Sequence, residues 1–279
     1  LKKAGFVFNS DIAAYYDYRT PGNVRNLVFR VANLAIDGKI PFEKAVVLPE
    51  KGIYHPDADG IFANFADFER WDLQREHLEP DAPRIGILFY RSYVSPADLQ
   101  SIVPLVRLLE KSGFRVLPTF GPESSVVSDF MFKGANGAKE PAVDFILSYL
   151  FKFKGGIGGD IQVYLRNLNV PIINLIRLYY NDIEGWKGDP KGLSPAAVSW
   201  SIAIPELSGL IEPTVASGRT KDLDLASGGE TAVYEPVMEN LDLLAARMKK
   251  WIVLRKKPNK DKKIAILFYN HSQGKQNIG

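Results

Sequence analysis

The chain has 279 residues, a length that leaves room for a sizeable hydrophobic core. Hydrophobic residues make up 46% and charged residues 24%, and these ordinary globular values exclude a chain that is disordered throughout. The sequence has no cysteine, which excludes thiol nucleophiles, disulfides and cysteine-ligated metal centres. The formal net charge of +3 comes from one basic stretch, residues 247–263, because the rest of the chain is mildly acidic.

The first predicted unit, residues 1–82, is a mixed α/β segment. Apolar residues recur at helical spacing behind Pro21-Gly22, which predicts an amphipathic helix. The side chains of its apolar face are Leu27, Val28, Val31, Leu34 and Ala35. A turn-rich polar loop, Gly52-Ile-Tyr-His-Pro-Asp57, follows, and spaced aromatic residues between Phe62 and Trp71 predict a second short helix.

The second predicted unit, residues 83–258, alternates strands with helices. Ile85-Gly-Ile-Leu-Phe-Tyr90 has the composition of a strand that is buried on both faces, and Ser95-Pro96 then begins a capped helix. The other predicted elements are strands over 114–120, 143–149 and 170–178 and helices over 126–132, 160–168 and 193–205. Alternation at this spacing is typical of βαβ units, so we predict an α/β fold with a Rossmann-like parallel sheet and flanking helices.

The last part of the chain predicts a turn-rich stretch, a long helix and the start of a further unit. The turn signals are Ser217-Gly-Arg219 and Ser227-Gly-Gly229, and the helix runs from Glu235 into the basic stretch. Lys263-Ile-Ala-Ile-Leu-Phe-Tyr-Asn270 repeats the strand at 85–90 almost residue for residue. We therefore expect residues 259–279 to begin a second α/β unit, in a chain that is an internal fragment of a longer polypeptide.

Two sequence features favour an anionic ligand. Gly155-Gly-Ile-Gly-Gly-Asp160 lies between a predicted strand and helix, where backbone N–H groups could bind an anion, although a plain connecting loop is the preferred explanation. Its spacing matches no Walker A motif, so we predict no ATP site. The basic stretch 247–263 has a composition that suits phosphate, but aromatic residues do not alternate with its cations. A solvated helix end is therefore preferred there over a nucleic-acid site.

Histidine and carboxylate side chains supply the other candidates. His55 has Asp57 and Asp59 close by, so an imidazole and carboxylates could converge on a divalent cation; a hydrogen-bonded surface histidine is the alternative. Glu206 and Glu212 interrupt an apolar run, where a carboxylate is exposed, paired with a cation or placed beside a cavity. Glu184 and Trp186 would offer an acidic rim and an aromatic wall to a flat ligand.

In the order and spacing of its motifs, the chain resembles the large tetrapyrrole-binding subunit of ATP-dependent metal chelatases. That family comprises the cobaltochelatase CobN type and the H subunit of magnesium chelatase. The matching segments are Gly52-Ile-Tyr-His-Pro-Asp-Ala58, Ile85-Gly-Ile-Leu-Phe-Tyr-Arg-Ser92, Val116-Leu-Pro-Thr-Phe120, Ile204-Pro-Glu-Leu-Ser-Gly-Leu-Ile-Glu-Pro213, Gly218-Arg219, Lys262 to Asn270 and Gly274-Lys-Gln-Asn-Ile-Gly279.

The resemblance implies a protein that binds a tetrapyrrole and hosts the insertion of a divalent metal, Co²⁺ or Mg²⁺. Separate AAA+ partner subunits would hydrolyse ATP, which this chain would not bind. On this basis Glu206 and Glu212 are the predicted catalytic carboxylates, and Glu206 and His55 the predicted metal ligands. Glu184, Trp186 and His55 are the predicted tetrapyrrole contacts.

Two other functions stay open from the sequence. One is a non-catalytic Rossmann-like module that binds a small anionic ligand through residues 155–160, and the other is a module that docks nucleic acid or a partner through the basic stretch. The chain has no run of about 18 apolar residues, so we predict no integral membrane segment and expect a cytoplasmic location. For the chelatase interpretation we expect no nucleic-acid partner.

Overall fold

A computed structural model describes residues 10–266 apart from 19, 37, 77, 134–139, 151–159 and 225–227. Its helices are α1 (Ser10–Asp17), α2 (Pro21–Ala35), α3 (Phe65–Leu73), α4 (Pro96–Lys111), α5 (Glu123–Phe130), α6 (Asp160–Leu168), α7 (Ile183–Gly188), α8 (Pro195–Val198), α9 (Ile204–Leu207) and α10 (Met238–Lys256). Its strands are β1 (Gly52–Ile53), β2 (Arg84–Phe89), β3 (Arg115–Phe120), β4 (Phe132–Lys133), β5 (Glu140–Pro141), β6 (Phe145–Ser148), β7 (Ile172–Asp182), β8 (Ile211–Asp224) and β9 (Gly229–Pro236).

The described residues form a seven-stranded sheet in the order β1-β3-β2-β6-β7-β8-β9. Strands β3, β2, β6, β7 and β8 pair in parallel, whereas β1 and β9 are antiparallel to their neighbours. Numbered along the chain, the parallel strands have the order 2-1-3-4-5, which is a doubly wound arrangement. The predicted α/β class with a parallel sheet and flanking helices is confirmed.

Helices cover both faces of the sheet, because alternate strand residues point to opposite sides. In β2, Ile85, Ile87 and Phe89 face a core that includes residues of α4 and α10. Leu88 faces the opposite core, with aromatic and aliphatic residues of α3 and α5. The predicted run Ile85 to Tyr90 is therefore nearly continuous hydrophobic sequence because neither face of this strand meets solvent.

The predicted turn at Ser217-Gly-Arg219 is wrong, because these residues belong to a long antiparallel ribbon, whereas the second turn signal, at 227–229, lies where the ribbon reverses. β8 and β9 pair from Ser217 opposite Pro236 to Asp224 opposite Gly229. Gly218 does not mark a turn. It lies where a Cβ atom would come within 2.8 Å of Ile183 Cγ1, so the glycine permits close packing inside the strand. The chain reverses instead near Gly228, which has a positive φ of 68°.

Buried charges tie the α3 segment to the start of the sheet. The Asp72 side chain is 0% exposed and lies 3.2 Å from the Arg115 guanidinium and 3.4 Å from that of Arg84. Arg115 also donates to the carbonyl oxygens of Leu78 and Glu79, at 2.9 and 3.0 Å. A buried arginine is tolerated here because a carboxylate and backbone carbonyls use its donors.

Several sequence predictions fall on residues outside the described part. They are the apolar stretch 5–8, most of the glycine-rich loop 155–160 and residues 267–279 of the last predicted unit. The predicted domain limits at 82 and 258 stay predictions. β1, from the predicted first segment, adds to the sheet beside β3. Among the described residues, no helix has both the length and the apolar character needed to cross a bilayer.

Gly121 is expected to tolerate no side chain. Its φ is +137°, and a Cβ atom would come within 2.5 Å of Lys51 Cβ. Gly121→Ala should therefore lower the free energy of unfolding by about 1–3 kcal/mol, measured by urea denaturation. Gly60→Ala is the control, because Gly60 has no positive φ and open space around it. It should change stability by less than about 0.5 kcal/mol, and an equal loss in both variants would contradict this explanation.

Candidate functional site

The carboxyl ends of the parallel strands meet at one edge of the sheet, which we call the carboxyl edge. In doubly wound sheets, ligands bind in a crevice at this edge, where the strand order reverses. Here the reversal lies between β2 and β6, since the chain passes from β2 to β3 on one side and returns to β6 on the other. The residues after β2 border this reversal, and the residues after β3 lie beside them at the same edge of the sheet.

A cavity of about 740 Å³ opens at this position. Its walls come from the end of α1, the extended segment before β1, the turn after β2 and the start of α4, and the turn after β3. The lining residues are Asp17, Tyr18, Leu48, Glu50, Tyr90, Arg91, Ser92, Val94, Ser95, Asp98, Gly121, Pro122 and Glu123. The volume lies in the range of small-molecule sites, about 300–1,000 Å³.

Carboxylates dominate the charge of the cavity wall. Asp17, Glu50, Asp98 and Glu123 line the cavity together with one arginine, Arg91, whose guanidinium lies 5.4 Å from the centroid of the Tyr18 ring. Glu123 is 9% exposed and has no hydrogen bond or ion pair with any residue in the described ranges. A carboxylate held this way is available to a cation or to a proton donor that enters the cavity.

A buried arginine fixes one of these carboxylates. Arg177 of β7 is 2% exposed, and its guanidinium lies 3.2 Å from the ring centroid of Tyr234 and 4.2 Å from that of Tyr93. It donates to Asp98 Oδ1, while Ser95 Oγ donates to Asp98 Oδ2 at 2.7 Å. The aromatic rings and the carboxylate together stabilise the buried cation. Asp98 is therefore held in place from behind the cavity wall.

His55 lies in a charged cluster near the carboxyl end of α4. Its side chain is 0% exposed, Nε2 lies 3.0 Å from Glu110 Oε1, and Nδ1 accepts from the Asp57 backbone N–H at 3.2 Å. His55, Asp57 and Glu110 offer three ligand atoms within 4.8 Å of one another. Asp59, which the sequence placed beside His55, is not part of this group.

Two arginines already neutralise the carboxylates of this cluster. Arg75 contacts Glu110 Oε1 at 2.5 Å and Asp57 Oδ2 at 3.0 Å, and Arg107 pairs with both Asp57 oxygens. Burial alone would raise the pKa of Glu110, but hydrogen bonds from His55 and Arg75 lower it to about 2. The hydrogen bond from Arg107 likewise lowers the pKa of Asp57 to about 2. The cluster is thus arranged to hold the 52–57 loop against α4.

Glu206 and Glu212 lie at the opposite, amino edge of the sheet. Glu206 in α9 is exposed and lines an open cavity of about 420 Å³ beside the first residues of β7 and β8. Glu212 Oε1 accepts from Trp251 Nε1 at 3.1 Å and pairs with Arg247 at 2.9 Å. Glu212 therefore connects β8 to α10, whereas Glu206 has no ion pair with any described residue.

Glu184 and Trp186 lie on α7, directly after β7, and so at the carboxyl edge. Glu184 is exposed, and Trp186 is half-buried against the apolar cluster of Ile176, Leu178 and Ile183. Neither side chain lines the 740 Å³ cavity. The aromatic ring of Trp186 thus has a packing role in the described structure.

The fold does not bring the sequence-predicted residues into one site. β1, which precedes His55, and β8, which contains Glu212, are separated by five steps in the strand order. At a spacing of about 4.8 Å per strand, they lie about 24 Å apart. The predicted metal pair, Glu206 and His55, is therefore divided between two places, and Glu184 and Trp186 occupy a third.

Sequence reasoning missed the cavity residues, although a positional signal pointed to them. Tyr90 ends the predicted strand at 85–90, Arg91 follows it, and Glu123 comes shortly after the predicted strand at 114–120. The rule that ligands bind at the carboxyl ends of parallel strands singles out these positions. Tyr18 and Glu50 had no such signal, because only the tertiary structure places them opposite the strand ends.

Glu110→Gln is expected to lower the free energy of unfolding by about 3 kcal/mol at pH 7, because it leaves Arg75 facing a neutral amide. The pKa of Glu110 is depressed from 4.5 to about 2 in the folded chain. Its ionised form therefore stabilises the fold above pH 4.5, and this contribution is lost as the pH falls towards 2. Urea denaturation at pH 7, 4.5 and 3 should show the wild-type and variant stabilities converging.

The exposed Glu76 provides the matched control for this prediction. Glu76→Gln should change the free energy of unfolding by less than about 0.5 kcal/mol at each pH. A Glu110→Gln loss that is the same at pH 7 and pH 3 would contradict the assigned pKa shift.

Comparison with known proteins identifies the relatives of the chain. The family model described as CobN/Magnesium Chelatase matches residues 13–279. The H subunit of the magnesium chelatase of Chlorobaculum parvum is 29% identical over 276 residues, which cover 94% of this chain and 20% of that protein. The CobN subunit of the aerobic cobaltochelatase of Sinorhizobium sp. is 25% identical over 292 residues, covering 100% of this chain and 22% of that protein.

A solved structure shares the fold. The catalytic subunit of cobaltochelatase from Mycobacterium tuberculosis superimposes with a TM-score of 0.59 at 20% identity, over 92% of this chain and 20% of that one. The chain thus spans about one fifth of the length of these relatives. Because the family model matches nearly all of its residues, the chain belongs to the CobN/magnesium chelatase family.

Proposed function

We propose that this chain is part of the large subunit of a metal chelatase. That large subunit binds a tetrapyrrole and is the place where a divalent metal substrate, Co²⁺ or Mg²⁺, is inserted, while AAA+ partner subunits hydrolyse ATP. Family membership supports this proposal, as do relatives named as the H subunit of magnesium chelatase and the CobN subunit of cobaltochelatase. We place the tetrapyrrole contact of this chain in the cavity at the carboxyl edge.

The observation that carries this placement is the combination of aromatic rings and free carboxylates around one cavity. Tyr18 and Tyr90 supply rings that can pack on a flat macrocycle, and Arg91 can pair with an acidic substituent at its periphery. Glu123, which is 9% exposed, supplies a carboxylate that has no partner within the described part of the chain. The cavities beside α7, beside α9 and around Arg255 do not combine these groups.

The chemistry of insertion calls for carboxylates. Two pyrrole N–H protons must leave the macrocycle, and the incoming metal must exchange water molecules for pyrrole nitrogens. A carboxylate can accept such a proton or replace one of the waters during the exchange. In this cavity we assign proton acceptance to Glu123, and we assign to Asp17 and Glu50 the attraction of the divalent cation to the cavity.

Glu206 is the alternative proton acceptor. Its exposed carboxylate lines the open cavity at the amino edge and has no ion pair among the described residues. In a protein as long as the relatives, segments outside the stretch that they share with this chain would be able to complete a site at that edge. Glu212 has its accessible oxygen engaged by Trp251 and Arg247, so we assign it a structural role. His55, Glu184 and Trp186 stay sequence predictions as tetrapyrrole contacts.

Glu123→Gln in the full-length subunit, assayed with its partner subunits, should lower the turnover of metal insertion about 100-fold or more. The amide keeps the shape of the side chain but accepts no proton. Insertion is followed by the absorbance of the metallated tetrapyrrole, and tetrapyrrole affinity by absorbance titration without metal. Affinity should stay near the wild-type value.

Glu206→Gln is the matched variant, since it makes the same change at the other edge of the sheet. If Glu206→Gln abolishes insertion while Glu123→Gln keeps wild-type turnover, the proton acceptor lies at the amino edge and the assignment of Glu123 is overturned. Wild-type turnover in both variants would remove both carboxylates from the mechanism.

Tyr18→Ala should weaken tetrapyrrole binding about tenfold, because the ring packs on the macrocycle in the proposed complex. Tyr18→Phe keeps the ring and should bind with nearly wild-type affinity. The measurement is the dissociation constant from absorbance titration of the full-length subunit. Equal affinities for wild type and Tyr18→Ala would place the macrocycle elsewhere.

A further inference from the structure

Helix α2 presents its apolar side to solvent. The exposed fractions of Val24, Val28, Val31 and Leu34 are 44%, 59%, 45% and 55%, and Ile36 beyond the helix end is 74% exposed. Val24, Val28, Val31 and Leu34 recur at helical spacing, so they form one stripe. The sequence predicted this helix and its apolar face, but the described part of the chain does not cover that face.

The polar side of the same helix is turned inward. Asn23 and Asn26 are 1% and 4% exposed. The Asn23 side chain donates from Nδ2 to the Val46 carbonyl oxygen and accepts at Oδ1 from the Val46 N–H, each at 2.8 Å. Asn33 makes the same pair of hydrogen bonds with Ile40. Asn26 Oδ1 accepts from the Glu43 N–H at 3.1 Å.

These hydrogen bonds determine which way α2 faces. In each pair, one asparagine side chain forms hydrogen bonds with both the N–H and the carbonyl oxygen of one backbone residue, as a neighbouring strand would in a sheet. The backbone satisfied in this way belongs to residues 40–46. Turning the valine stripe inward would expose this segment and leave its backbone groups without these partners. Because the asparagines face inward, the valine stripe on the opposite side of the helix faces solvent.

We propose that α2 docks against another part of the same polypeptide, outside these 279 residues. The relatives are about five times as long as the stretch they share with this chain, so in a protein of their length most of the polypeptide lies outside that stretch. Soluble proteins rarely leave such a stripe open to water. α2 contains Arg25 and Arg30 and no acidic residue, so the occupant is an apolar helix or strand flanked by carboxylates.

This inference rests on the length of the relatives and on the packing of α2, and it is independent of the proposed reaction. It also concerns the 740 Å³ cavity, because two residues of its wall, Asp17 and Tyr18, directly precede α2 in the chain. Docking of α2 would also hold the N-terminal wall of that cavity in place.

Site-specific photo-cross-linking of the purified full-length subunit tests the proposal. Val28 is replaced by the photoreactive amino acid p-benzoylphenylalanine, and cross-linked peptides are identified by mass spectrometry. Lys249, which is exposed on α10, carries the same replacement in the control protein. We expect position 28 to cross-link within one chain, to a segment outside these 279 residues, and position 249 to give no such product.

Three results would overturn the proposal. A product of twice the mass of one chain would show that a second copy covers the stripe. A cross-link only to residues within these 279 would show that the stripe is covered locally. Absence of any cross-link at position 28 would show that the stripe is open to solvent in the full-length protein.

Discussion

The parallel pairing of β2 with β3 on one side and β6 on the other is the constraint on which the molecule depends. It orients the central strands alike, so each connection between two parallel strands begins at the carboxyl edge of the sheet and returns to the amino edge. The turns after β2 and β3 are thereby brought to one edge, beside the cavity with its carboxylates and tyrosines. Glu206 and Glu212 lie at the opposite edge, because α9 leads into the start of β8.

Buried ion pairs then attach the outer segments to this sheet. At the amino edge, Asp72 holds Arg84 and Arg115, which lie at the starts of β2 and β3. At the carboxyl edge, Arg177 holds Asp98 at the start of α4. In both places a buried guanidinium has a carboxylate partner, because an unpaired charge in the interior would cost several kcal/mol. Among the segments that form the walls of the cavity, the start of α4 is positioned by a contact of this kind.

The elements of residues 83–258 were largely predictable, because hydrophobic runs and helix caps are local signals. Ser95 caps α4 through a hydrogen bond from the Asp98 N–H, as its position before Pro96 indicated. The ribbon of β8 and β9 was not predictable in this way. Gly218 looked like a turn residue, but Leu178 and Ile183 pack where its side chain would be. A glycine has the same local signature whether it serves a turn or a close contact.

The sequence by itself determined the α/β class, the order of the core elements and the family resemblance, because each rests on residues that are neighbours along the chain. Only the tertiary structure decided which charged residues meet. It surrounded His55 with Glu110, Arg75 and Arg107, which are distant in sequence, and so determined the charges around this predicted metal ligand. It also brought Tyr18 and Glu50 opposite Glu123. Side chains from separate segments form a site only when the sheet has placed those segments together, and no spacing along the chain encodes that distance.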